Sequence, residues 1–89
     1  MPRNNRSDAD YEIEGFSKVW KVLEALEGTA FQPVATGTIV ERTGFSNDTV
    51  FRALKTLKLH GLAVSEKGKW TIGKRLMRLA GSISRHTGE

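Results

Sequence analysis

A glycine set between two helical patterns constrains this chain more than any other feature. The stretch TGTIVERTGFSNDTVFRALKTLKLHGL runs from Thr36 to Leu62. A short amphipathic segment carries Ile39 and Val40, Gly44 interrupts it, and a longer pattern begins at Ser46 with Val50, Ala53, Leu54 and Leu57 at a spacing near 3.6. Gly44 suits the left-handed residue that ends a helix, Phe45 is the apolar plug of the turn, and Ser46 is a good N-cap for the amides of Asp48 or Thr49. Asp48 adds negative charge at the positive end of the second helix. Two helices around such a turn are the mark of a helix-turn-helix; an ordinary helical hairpin is the alternative.

With 89 residues and 38% apolar content, the chain supports one modest core and no deep cleft. The absence of cysteine rules out disulfides and thiolate metal sites. No apolar run approaches membrane-spanning length, and the N-terminus lacks a signal core. Charge is uneven. Residues 1–45 carry a net −2 and residues 46–85 a net +7 within a total of +4, so the half containing the second helix suits a polyanionic partner.

Before this unit, residues 1–13 read as a mobile polar arm. Arg3 and Arg6 have the reach for a DNA groove, although Asp8, Asp10, Glu12 and Glu14 oppose phosphate contact. A first helix is expected from Glu14 or Phe16 to Leu26, capped by Ser17 and ended by Gly28. Its stripe is Phe16, Val19, Leu23 and Leu26, with Trp20 and Val22 alongside. Phe31 to Val34 form a bridge in which a short edge strand fits around Pro33. Thr36 or Thr38 is expected to cap the next helix, with Gly37 in its first turn.

Beyond Gly61, Leu62 and Val64 alternate with Ala63 and Ser65 as a short strand. Glu66-Lys67-Gly68-Lys69 makes a tight turn, and Trp70 to Ile72 return. A strand, glycine turn and strand directly after a helix-turn-helix form a wing with Lys67 and Lys69 at its tip; Trp70 reads as structural. Gly73 ends the wing. A last helix from Lys74 to about Ser84 carries Leu76, Leu79, Ala80 and Ile83 on one face, with Lys74, Arg75 and Arg78 outside it. Residues 14–84 are thus read as the folded domain and 85–89 as a frayed tail. The fold class is mainly α with a small β-hairpin: a three-helix core, a wing and a C-terminal helix.

From Phe16 to Ala80 the chain resembles the DNA-binding domain of isocitrate lyase regulator (IclR) type transcription factors. The resemblance lies in FSKVWKVLEAL, in TGFSNDTVFRALKTLKLHGLAV and in KGKWTIGKRLMRLA. It implies a winged helix whose third helix enters the major groove, regulation of transcription, and dimeric or tetrameric assembly. Family members carry a larger ligand-sensing domain; with the chain ending at Glu89, no small-molecule effector domain is expected.

The sequence therefore points to a double-stranded DNA-binding regulator of bacterial or phage type, cytoplasmic and nucleoid-associated, with no cofactor and no metal. Catalysis is not expected: His60 and His86 are the only histidines, and no carboxylate pair, metal-ligand cluster or phosphate-binding glycine loop is present. The expected DNA-contacting residues are Ser46, Asn47, Asp48, Thr49, Phe51, Arg52, Lys55 and Thr56 on the recognition helix, and Lys67 and Lys69 on the wing. A homodimer through the first or last helix would supply two half-site readers. The competing class is a winged helix used as a protein-interaction or nucleoprotein assembly module.

Overall fold

The computed structural model describes residues 8–29 and 32–87. After a 3-10 turn at Asp8–Tyr11 come α1 (Phe16–Glu24), β1 (Val34–Ala35), α2 (Thr36–Thr43) and α3 (Asn47–Leu59). The wing strands β2 (Ala63–Glu66) and β3 (Lys69–Ile72) follow, then α4 (Lys74–Thr87). Four helices thus accompany a three-stranded antiparallel sheet in the order β1-β3-β2. Arg3, Arg6 and Phe31 lie outside the described residues.

The core is built on the inner face of α3. Val50, Ala53, Leu54 and Leu57 are buried, as their spacing requires, and meet Val22, Leu23 and Leu26 from the first helical region, Ile39 from α2, and Ala63 and Trp70 from the sheet. Of the stripe expected for α1, Val19, Leu23 and Leu26 face the core and Phe16 does not. Val22 is fully buried, whereas Phe16 is 53% exposed and stacks on Trp20, 46% exposed, with ring centroids 6.2 Å apart. The α-helical part also stops at Glu24, and turns carry the chain through Gly28 to Thr29.

Neither hydroxyl cap expected for the first two helices forms. Gly15 occupies the N-cap of α1, while Ser17 sits inside the first turn and donates to the Glu12 carboxylate. Before α2, β1 pairs with the centre strand through Val34 opposite Trp70 and Ala35 opposite Lys69. That pairing holds Ala35 extended and makes it the N-cap, so the helix starts at Thr36 itself. The Thr36 hydroxyl then accepts from Trp70 Nε1 at 3.2 Å, satisfying the one polar atom that a buried indole brings into a core. A fully buried hydroxyl makes a second link to the same strand: Thr29 Oγ1 donates to the Leu26 carbonyl at 2.6 Å and accepts from the Ile72 amide at 3.1 Å. Arg42 Nη1 reaches the Ala25 carbonyl at 2.7 Å and ties α2 to the end of α1.

The exit from α3 determines where the wing and α4 begin. His60 is the C-cap and Gly61 is left-handed. The Leu62 amide donates to the Leu57 carbonyl at 2.8 Å and the Gly61 amide to the Lys58 carbonyl at 3.0 Å. This is the paired bonding of a Schellman motif. The turn packs directly on Gly73, whose amide donates to the Leu62 carbonyl at 2.9 Å. A Cβ at Gly73 would lie 2.2 Å from the Gly61 carbonyl oxygen, so the site admits only glycine without backbone movement.

In the wing, Ala63 rather than Leu62 or Val64 is the fully buried residue; Val64 points outward beside Thr71. Helix α4 extends to Thr87, beyond the expected end at Ser84. Of its described apolar side chains, Leu76 packs on the core, while Met77 and Leu79 remain 51% and 57% exposed and Ala80 is exposed as well.

Candidate nucleic-acid interface

Helix α3 presents its outer side to solvent because its inner stripe is committed to the core. The turn that sets this orientation has the expected chemistry. Gly44 is left-handed, Phe45 packs on the core, and Ser46 Oγ accepts from the Thr49 amide at 3.2 Å. Ser46 Oγ also lies 3.0 Å from Thr49 Oγ1 and donates to it. These two residues therefore hold the start of the helix, and their hydroxyls are engaged with one another.

The other predicted residues of α3 are all exposed: Asn47, Asp48, Phe51, Arg52, Lys55 and Thr56. They are not equally free. Arg52 Nη1 lies 3.8 Å from Asp48 Oδ2, a solvent-facing pair one turn apart. Lys55 Nζ stands 5.6 Å from the centroid of the Phe51 ring, within cation–π reach. Thr56 Oγ1 donates to the Arg52 carbonyl at 2.9 Å, which leaves its oxygen as an acceptor toward solvent. The face thus consists of two charged side chains braced by neighbours, a half-exposed aromatic ring and a free Asn47.

Leu59 joins this face although it is not among the residues expected there. It is 78% exposed and continues the outermost row of α3 from Asp48, Arg52 and Lys55. The signal was its position, four residues after Lys55 and out of phase with Leu54 and Leu57; its apolar character concealed it. Beside α3, the start of α1 forms one wall of a shallow groove, with Lys18 across from Arg52.

The wing carries a second set. Lys67 and Lys69 are exposed at its tip, where Lys67 at φ 54° and Gly68 at φ 78° form the two central residues of the turn. Two consecutive left-handed residues match the type I′ hairpin turn, whose twist suits antiparallel strands. Lys67 is the sole non-glycine residue with positive φ among those described. Glu66 stands directly opposite Lys69 in the strand register, so one acid accompanies the two lysines. A depression on this outer sheet face is lined by Pro33, Val64, Glu66, Lys67, Lys69 and Thr71 and by no residue of α3. The structure therefore groups the predicted residues into two separate patches.

Among the described residues, no group of three or more histidine, aspartate or glutamate side chains stands together to hold a metal, and no helix is long and apolar enough to cross a membrane.

No family model and no curated protein sequence matches the chain. Solved structures do. Pseudomonas aeruginosa HmgR is similar over 79% of this chain and 29% of its own, with 20% identity and a TM-score of 0.67. An IclR transcriptional regulator from Alicyclobacillus acidocaldarius is similar over 80% of this chain and 29% of its own, with 22% identity and a TM-score of 0.69. A putative IclR-family regulator from Rhodococcus sp. reaches 24% identity over 91% of this chain and 32% of its own, with a TM-score of 0.60. The chain spans less than a third of each of these proteins. Over that span it has the winged helix-turn-helix fold found in IclR-type transcriptional regulators.

Proposed function

We propose that this chain is the DNA-reading module of a transcription regulator of bacterial or phage type, acting in the cytoplasm on the nucleoid. The observation that carries the reading is the division of α3. One side is locked into the core, while Asn47, Asp48, Phe51, Arg52, Lys55 and Thr56 stand exposed on the other. A helix so held, about 10–12 Å across with its side chains, fills a major groove about 12 Å wide. Asn47 has the paired donor and acceptor to read adenine. Arg52 has the fork for guanine or a phosphate, and Phe51 offers a surface to a thymine methyl. Ser46 and Thr49 set the depth of approach through the helix start, and Lys67 and Lys69 contact the backbone beside the groove. Titration of duplex DNA across salt concentrations and across sequences tests this. Affinity is expected to fall steeply with salt and to differ between sequences. Flat salt dependence with no sequence preference would sink it.

A second reading, a winged helix that docks on protein, is favoured by the exposed Phe16–Trp20 stack on α1 and by Met77 and Leu79 on α4. Both surfaces also suit pairing of two copies, which would place two α3 helices on half-sites about one helical turn apart. Sedimentation of the protein with a palindromic duplex distinguishes these: two chains per duplex are expected, and a strict one-to-one complex at saturation rules the pair out.

A further inference from the structure

We propose that the groove between the start of α1 and the flank of α3 seats a DNA backbone phosphate, with Lys18 as a contact outside the helix-turn-helix. The inference rests on the DNA-binding reading and adds to it a residue from the first helix. The groove runs between Gly15, Lys18 and Val19 on the α1 side and Thr49, Arg52, Ala53 and Thr56 on the α3 side. One cation stands on each wall. Neither Glu14, the acid next to Gly15 in the chain, nor Asp48, the acid paired with Arg52, lines the groove. Thr56 spends its proton on the Arg52 carbonyl, whereas Thr49 Oγ1 accepts from Ser46 Oγ and keeps its own proton to donate, so the groove offers one hydroxyl donor beside its two cations.

Position supplies the second argument. A helix that fills the major groove brings the phosphates of the groove rim against its flanks rather than its outermost row. Thr49 and Thr56 form such a flank, and Arg52 stands at its edge, between them and the Asp48, Lys55 and Leu59 row. Helix α1 packs on this side of α3, and its first turn carries Lys18 to the same level. Arg52 then acts here as a phosphate clamp from one wall and Lys18 as its counterpart from the other. Base discrimination is left to Asn47, Phe51 and Lys55. Lysine is an adequate point charge for this task, since a backbone phosphate contact needs no fixed fork.

The test uses the full chain and a mixed-sequence duplex of about 20 base pairs, because phosphate contacts do not depend on sequence. Fluorescence anisotropy titrations at several salt concentrations compare the wild type with Lys18→Ala, Lys18→Arg and Lys21→Ala. Lys21 is the control for bulk charge: it is exposed on the same helix but lines a different groove, with Glu24 and Arg42. Lys18→Ala is expected to lower affinity on the order of tenfold near 50 mM salt and to reduce the salt slope by about one. Lys18→Arg should keep the wild-type slope, and Lys21→Ala should leave it nearly unchanged. A Lys18→Ala slope equal to that of wild type or of Lys21→Ala, with wild type still binding the duplex, would overturn this inference and leave the DNA-binding reading standing. Failure of the wild type to bind any duplex would overturn both. Lys18 is exposed, so unchanged thermal unfolding of each variant is the folding check.

Discussion

Helices α3 and α4 have 13 and 14 residues, and each carries an apolar stripe on an otherwise polar surface. Their fates differ. The α3 stripe of Val50, Ala53, Leu54 and Leu57 lies at the centre of the core, and α4 contributes Leu76 while Met77 and Leu79 stay half exposed. Amphipathic spacing therefore states that a helix has two chemically different faces; it does not state what covers the apolar one. For α3 the answer is local in space, because α1, α2 and the sheet all converge on it. For α4, chain geometry decides. Gly73 joins it to the back of the Schellman turn, which aims the helix away from the three-helix core after its first turn.

The sharpest test of this contrast pairs one leucine from each helix. Leu54→Ala is expected to destabilise the fold by about 3 kcal/mol, since a buried leucine loses both its transfer free energy and its packing partners. In a domain of this size that lowers Tm by roughly 12–24 °C. Leu79→Ala should change stability by less than about 0.5 kcal/mol in dilute protein, as exposed positions do. Circular dichroism melts of the two variants decide the matter. A large loss in Leu79→Ala would mean that the α4 face is covered in solution, and repeating the melt at several protein concentrations would show whether a second copy covers it.

Gly73→Ala tests the joint between the two regions. The added methyl would stand 2.2 Å from the Gly61 carbonyl oxygen, with no flexible side chain able to yield. The Schellman turn or the start of α4 must move, at an expected cost of about 2–3 kcal/mol. The discriminating measurement is residue-level: amide exchange should rise at Gly61, Leu62 and Leu76 before it rises at Val50 or Leu54. Uniform loss of protection would show that the joint and the core are a single cooperative unit.

Legibility followed the same division. The turn from Gly44 to Ser46, the α3 stripe and the hairpin around Gly68 were readable because each rests on near neighbours: a cap three residues away, a 3.6-residue period, a two-residue turn. The capping hydroxyls of α1 and α2 were not. Ser17 and Thr36 are both chemically able to cap, and other partners settled their use: the nearby Glu12 for Ser17, and the Trp70 indole, 34 residues away, for Thr36. One member of the α1 stripe, Phe16, was misplaced for a related reason. Phe16 and Val22 are both apolar, and only the position of α3 determines which of them faces it. In the candidate site, the exposed residues of α3 followed from the buried ones by subtraction. Leu59 and Lys18 did not, one hidden by its residue type and the other by lying on a different helix.

The smallest expected effect bears on the wing and runs in two directions. Lys67 holds a left-handed backbone, at φ 54°, that costs an L-residue with a Cβ roughly 1–2 kcal/mol. Asparagine tolerates that region far better, and Asn-Gly is the preferred pair for a type I′ turn. Lys67→Asn should therefore stabilise the chain by about 0.5–1 kcal/mol, raising Tm by roughly 2–8 °C. An arrangement that gives up stability at an exposed turn tip needs another reason for its lysine, and strained residues cluster where function holds them. If that reason is a backbone phosphate, the same variant should weaken binding to every duplex and reduce the salt slope by about one. The two measurements separate the alternatives. A higher Tm with unchanged DNA affinity would leave the strain without a functional counterpart, and the wing would then serve only to cover Trp70. An unchanged Tm would mean that the turn relaxes in solution. A more stable protein that binds DNA less tightly would place the wing beside α3 as a working surface, unlike α4, whose exposed face costs the backbone nothing.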